Sequence, residues 1–451
     1  MILAGKRAVL AVLLLVSFCG REVWSQKAPV LPELSTKRLL NDLQVIFAST
    51  PHLGDSMIIG VVLRYGAIFD PVDKGGLANM VCRMLFRGAI DRTRKDLQDE
   101  LSVLGASVDV RCEWDGIRIL LRGQSARVER SLLLLYQAVG EAVFTENDFA
   151  EVKNELLEQV RRPEDPRLRT RLKFEQAIFG GTSYARPITG TPASLQKISI
   201  GDVRLFYRRY FSPGAAALVI AGSAPPQQVL QKASRIWGVW VRREDIPFTF
   251  LQPRKPAART VYAEDDPGSP AAQFILGSLW PQRGDPSYYT SMLAARILQE
   301  RLTRALPTSL LTVAAEGRRM PGPFFIQGQA AADQVVGEIR RVLETVDEMK
   351  AAPPAEAELT EVRKNWVGEF RRSLESVEGV CSIIMDSELY RLGTNYAASF
   401  PGILELCDPQ AVQAAAKEWI LPGGVVILVR GPMAALQSQL ETLGVVRPAP
   451  Q

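Results

Sequence analysis

The chain is expected to fold as an α+β protein built of two homologous domains, each a mostly antiparallel sheet packed with helices. Three observations predict this. Strand-like segments come in groups and helix-like segments come in groups, where a parallel α/β sheet would alternate them singly. The order of segments starts again in the second part of the chain. Between the two series lies "REDIPFTFLQPRKPAAR", residues 243–259, with the proline and charge content of a linker. The domains so defined run 26–242 and 260–446.

In the first series, "LQVIFAS" and "MIIGVVLRYG" read as strands on either side of the turn-rich "TPHLGDS". "GGLANMVCRMLFRG", residues 75–88, follows and opens a helix. Thr93 to Asp96 has the form of a capping box, Leu97, Leu101 and Leu104 make an apolar face, and Gly105 supplies the stop. "ASVDVRC" and "GIRILLRG" are a second strand pair, succeeded by helical patterns from about Ser125 to Val143, Glu146 to Arg162 and Leu168 to Phe179. Ser199 and Asp202 cap a helix with Val203, Phe206, Tyr207 and Tyr210 on one face, and "AAALVIAGS" closes the series as a strand.

The second series repeats the layout. "AAQFILGSLWPQRGDPSYYTSMLAARIL" gives an apolar strand, a turn with Gly and Asp-Pro, then a helix, as "SMIIGVVLRYGAIFDPVDKGGLANMVCRML" does before it. "PFFIQGQA" is a strand, helices follow from about Asp333 to Met349 and Ala355 to Ser373, and "GGVVILVRG" closes this half.

The first 25 residues differ in kind. Lys6 and Arg7 precede an apolar run from Ala8 to Phe18, and Val23-Trp24-Ser25 ends in a small residue before Gln26, which together describe a secretory signal peptide. Phe18 before Cys19 is a poor fit to a lipidation site. Export to a periplasmic or extracellular space is therefore expected, with no integral membrane segment after signal removal. Losing Lys6, Arg7, Arg21 and Glu22 lowers the formal charge from +5 to +3. The doublets Arg161-Arg162, Arg208-Arg209, Arg318-Arg319 and Arg371-Arg372 are scattered among acidic residues, so nucleic acid is not an expected partner. Four cysteines remain, Cys82, Cys112, Cys381 and Cys407, without CxxC spacing, and buried free thiols are the simplest reading.

Gly66, Asp70-Pro71, Gly76 and "MLFRG", then "LSVLGASVDV", "TSYARPITGTPASLQKISIGDVRLFYRRYFSPGAAALVIAG" and "DDPGSPAAQFILGSLWPQRGDPSYY", resemble the pitrilysin/insulinase-type zinc metallopeptidases, inverzincins that include the mitochondrial processing peptidases. The resemblance runs over nearly the whole mature chain. It implies a zinc motif His-x-x-Glu-His on the first helix, where ligands four apart share one side and the carboxylate between them takes a proton from the bound water. Here Asn79 stands at the first His, Cys82 at the Glu and Arg83 at the second His. The third ligand, a glutamate on a later helix, aligns with Gln159, or with Glu158 after a one-residue shift. An Arg and Tyr seven apart, which steady the substrate carbonyl in active relatives, align with Arg304 and Leu311. His52 lies in a turn away from this helix.

What the resemblance implies is therefore a degenerate member, with zinc expected of the family but its ligands missing and no cofactor of its own. Arg83 is expected to pair with a carboxylate such as Glu158 and fill the vacated site. An exported, catalytically silent partner or regulatory subunit of an active zinc peptidase is the favoured function, paired with that subunit or with a second copy of itself, and able to hold extended peptides. An atypical zinc endopeptidase and a purely architectural protein are the alternatives.

Overall fold

The computed structural model describes residues 31–162, 165–243 and 249–450, so the signal segment and part of the 243–259 linker lie outside the described residues. The first half comprises β1 (Glu33–Arg38), β2 (Gln44–Ser49), β3 (Ser56–Leu63), α1 (Leu77–Met84), β4 (Gly88–Ala89), β5 (Arg92–Thr93), α2 (Arg94–Leu104), β6 (Ser107–Cys112), β7 (Ile117–Gln124), α3 (Val128–Gly140), α4 (Glu146–Arg161), α5 (Pro166–Phe179), α6 (Pro192–Lys197), α7 (Ile200–Tyr210), β8 (Ala216–Gly222) and α8 (Pro226–Trp237). The second comprises β9 (Thr260–Asp265), β10 (Ala271–Trp280), α9 (Tyr288–Ala305), β11 (Thr312–Ala315), β12 (Gly322–Ala331), α10 (Val335–Ala351), α11 (Glu356–Ser373), α12 (Val377–Tyr390), α13 (Tyr396–Glu405), α14 (Pro409–Trp419), β13 (Val426–Gly431), α15 (Met433–Leu440) and β14 (Val445–Pro448).

Each half holds a six-stranded sheet, ordered β1-β2-β8-β3-β7-β6 in the first and β14-β9-β13-β10-β12-β11 in the second. Position by position these are the same sheet. In both, the closing strand of the half slots between the two opening ones, so β2 runs parallel to β8 and β9 parallel to β13, while most other pairs are antiparallel. The outer strand differs: β1 is antiparallel to its neighbour, whereas β14 enters from the far end of the chain and runs parallel. The helix starts read from sequence are present, with reciprocal capping boxes at Thr93/Asp96 and Ser199/Asp202 and a left-handed Gly105 ending α2. Among the described residues no helix is long and apolar enough to cross a membrane.

One face of each sheet carries helices of its own half, including α3 and α8 in the first and α10 and α14 in the second. The opposite face is covered by a helix from the other half. α12 lays Val380, Cys381, Ile384, Met385 and Leu389 on Ile46, Ile58, Val62 and Val219 of the first sheet, and α5 lays Phe174, Ile178 and Phe179 on Ile275, Phe325 and Leu428 of the second. A glycine on each central strand makes room. A Cβ on Gly60 would stand 2.6 Å from Met385 Sδ, and one on Gly277 would stand 2.7 Å from Phe174 Cζ. Ion pairs finish both exchanges. Arg118 and Arg122 on β7 reach Asp386 (2.5 Å) and Glu378 on α12, while Arg169 and Lys173 on α5 hold Glu264 of β9 at 2.7 and 3.2 Å.

Candidate functional site

The first helix is fixed at its start by Asp70. Its two carboxylate oxygens accept from the amides of Gly76 and Ala78, each at 2.8 Å, and so satisfy donors that a helix N-terminus leaves without partners. Gly76 has φ +96, and a Cβ there would come within 3.0 Å of Thr189 O, so only glycine suits the turn into α1. Asp70 is 5% exposed, and burial pushes its carboxyl up to about 7 against the opposing pull of the amides and of Arg186. Arg186 also donates to the Asp70 carbonyl at 3.0 Å.

α1 then packs tightly. Leu77, Ala78, Met80, Val81, Cys82 and Met84 are buried, which leaves Asn79 and Arg83 on the side that meets α4. Arg83 Nη2 donates to Gln159 Oε1 at 2.9 Å. This corrects the expected pairing of Arg83 with Glu158, which is exposed and makes no ion pair among the described residues. The reason is helical geometry. Glu151, Glu155 and Gln159 are spaced by four and line the stripe of α4 that faces α1, whereas Glu158 is turned about 100° away from Gln159. The same stripe takes Arg87, just past the end of α1, which bonds Glu151 at 2.8 Å and Glu155 at 2.9 Å, and Arg94 joins Glu151 at 3.1 Å.

Cys82, where the resemblance implies a glutamate, points elsewhere. Cys82 is 4% exposed within the apolar cluster, and Cys112 of β6 packs against that cluster. The Cys112 thiol is pushed well above its ordinary value, by its hydrogen bond with Cys82 first and by burial second, so it holds its proton. Asn79 Nδ2 is buried without a hydrogen-bond partner. At Arg83, Asn79, Gln159 and Cys82, then, stand a guanidinium, two amides and a buried thiol. Among the described residues no group of three or more His, Cys, Asp and Glu gathers where it could hold a metal. His52 sits exposed in the turn 51–53.

Arg304 and Leu311 do not converge on a common site. Arg304, at the end of α9, donates to Glu358 of α11 at 3.0 Å, where Arg301 already binds at 2.7 Å. Leu311 is buried against Gly328 and Phe274 in the second core. The sequence reading passed over Asp70 as a cap and missed Arg87 with Glu151 and Glu155. The i, i+4 spacing of Glu151, Glu155 and Gln159 along one helix is the signal that could have found the ladder.

The family description "Insulinase (Peptidase family M16)" matches residues 45–192, and "Peptidase M16 inactive domain" matches 197–365. Among curated proteins, an uncharacterised zinc protease of Rickettsia felis is 20% identical over 201 residues, 44% of this chain and 48% of that protein. The zinc protease PqqE of Helicobacter pylori is 20% identical over 79% of this chain and 83% of its own length. Subunit 1 of the mitochondrial cytochrome b-c1 complex of Bos taurus is 20% identical over 48% of this chain and 47% of its own. The chain thus spans about half the length of several curated relatives it matches. Among solved structures, a protease from Helicobacter pylori superposes with TM-score 0.81 at 16% identity, over 89% of this chain and 100% of that one. The periplasmic protease PqqL of Escherichia coli superposes with TM-score 0.76 at 14% identity, over 89% of this chain and 46% of that one. With a duplicated six-stranded architecture, exchanged helices and both family descriptions matched in succession, the chain belongs to the insulinase, or M16, peptidase family.

Proposed function

We propose that this chain is a non-hydrolytic M16 homologue that works by association, as the partner or peptide-binding subunit of an active zinc peptidase in an exported compartment. The observation that carries this reading is the Arg83–Gln159 bond, which occupies the place where the resemblance implies a metal. A permanent guanidinium there repels a divalent cation, and Gln159 offers only a neutral amide oxygen. Two features of the comparisons support association. Cytochrome b-c1 complex subunit 1 is by name a subunit of an assembly, and this chain corresponds to 46% of the PqqL chain, the share that one of two paired chains would supply. The signal segment at 1–25 supports export. The reading is tested by co-expressing the chain with an exported M16 protein that keeps His-x-x-Glu-His and running the mixture through size-exclusion chromatography. Co-elution with a change in the partner's peptide turnover supports it; separate elution and unchanged turnover with every such partner contradict it.

A further inference from the structure

Arginines from four separate turns meet where the two halves join. Arg64 follows β3, Arg283 follows β10, Arg318 and Arg319 form the turn between β11 and β12, and Arg391 ends α12. Arg64, Arg318, Arg319 and Arg391, with Arg38, line a cavity of about 570 Å³ whose other walls include Tyr65, Tyr390 and Gln282. A second cavity of about 420 Å³ adjoins it through Gly284 and Arg391, and Arg283, Tyr289 and Tyr396 line that one.

The charges here are unequally balanced, with Asp285 the single carboxylate among the residues that line the two cavities. Arg318 is held by Glu316 at 2.7 Å and Glu175 at 3.3 Å, and Arg38 approaches Asp42 at 3.6 Å. Arg319 donates to the carbonyls of Arg64 and Asp115. Arg64, Arg283 and Arg391 make no ion pair among the described residues. Arg64 Nη2 donates to the Gly214 carbonyl at 2.7 Å. Its pKa is lowered by burial first and by repulsion from Arg391 next, with Arg319 adding to it, while Glu388 and Tyr65 pull the other way. Arg283 is packed among tyrosines, bonding the hydroxyls of Tyr396 at 2.9 Å and Tyr289 at 3.2 Å with its guanidinium 4.3 Å from the Tyr288 ring centroid. Like charges held close together are stabilised by an anion between them. Elsewhere the chain pairs its arginines readily, as the α1–α4 ladder does.

We propose that the two adjoining cavities bind a short extended peptide carrying carboxylates, its acidic groups on Arg64, Arg283 and Arg391 and its backbone and apolar parts along the tyrosines. This deepens the peptide-binding reading above and rests on it. Guanidinium forks match carboxylates in geometry, and the joined space is of the size that holds several residues where a lone inorganic ion would leave most of it to water.

The test is fluorescence anisotropy of the full chain with labelled decapeptides that are Glu-rich, Ser/Gly-only or Lys-rich, together with inorganic phosphate as competitor. The Glu-rich peptide is expected to bind roughly tenfold or more tighter than the neutral one, with a preference that shrinks as salt rises. Arg391 is exposed and left-handed at φ +55, so Arg391→Gly removes a guanidinium while suiting the backbone; it should weaken acidic-peptide binding severalfold and leave thermal stability intact. Arg64→Gln provides the buried counterpart. Equal binding of neutral and acidic peptides, insensitive to both variants, overturns the charge selection while peptide binding stands. Binding of phosphate but of no peptide overturns the peptide proposal and the reading beneath it.

Discussion

Arg83 on α1 and Gln159 on α4 meet at 2.9 Å and tie the two helices together across their facing sides. The helices keep their approach because Arg87, Glu151 and Glu155 hold them one turn further along. On the proposed reading, the helix pair is a scaffold whose donor set differs from that of a zinc site.

If the scaffold is intact, ligands restored to it should work. Asn79→His, Arg83→His and Gln159→Glu together place two imidazoles four residues apart opposite a carboxylate. The triple variant is expected to take up one zinc per chain, seen by elemental analysis and as a rise in thermal stability on adding zinc; failure to bind would mean the side chains do not converge as described.

Arg83→Ala alone should do little. Its bond is exposed and its partner neutral, so a loss of about 0.5–1 kcal/mol in urea unfolding is expected. A loss of several kcal/mol would show that Arg83 carries more of the fold than one hydrogen bond.

Asp70 makes stability depend on pH in an unusual direction. Its folded pKa, about 7, lies above the ordinary 3.8, so between those values the folded chain holds a proton that the unfolded chain has released. The stability of the native chain relative to Asp70→Asn should therefore be highest at low pH and fall as pH rises from roughly 4 to 7, by up to about 1.4 kcal/mol per pH unit. Urea midpoints of both proteins across that window check this; a difference that grows with pH contradicts it.

The exchanged helices are open to a double-mutant cycle. Gly60→Val overfills the groove under α12 and should cost about 1–3 kcal/mol, and Met385→Ala empties it at about 2–5 kcal/mol. Combined, they should cost less than the sum by about 0.5 kcal/mol or more, because the valine occupies space the methionine leaves. Strict additivity would mean the two do not touch.

Much of this architecture is readable from residue order, and the failures have physical causes. Capped, strongly periodic helices such as α2 and α7 declare themselves through Thr93, Asp96, Ser199 and Asp202. β1 does not, because Ser35, Thr36 and Lys37 on an edge strand lack the alternation of a half-buried one. The placement of β8 between β2 and β3 joins segments far apart in sequence, and no local pattern encodes that pairing. α12 is not among the helices read from the sequence, and only the groove over Gly60 says which sheet it covers. At the site, Asn79, Cys82 and Arg83 are legible as departures from a motif, but the partner of Arg83 turned on which of two adjacent residues faces α1. The arginines at the junction look scattered in sequence because four turns supply them.

The four described cysteines should be slow to react. Burial pushes the Cys381 thiol up to about 12, and Cys407 is raised by burial as well. Alkylation by iodoacetamide at neutral pH is expected to label Cys381 and Cys407 only after unfolding, as mass spectrometry would read; rapid labelling of either in the native chain would contradict their burial.

The most direct test of the non-hydrolytic reading is the metal content and hydrolytic activity of the purified full chain after equilibration with zinc and removal of the excess. Less than stoichiometric zinc and no cleavage of unstructured peptides are the results expected. One tightly held zinc per chain with peptide hydrolysis that a chelator abolishes would contradict the account.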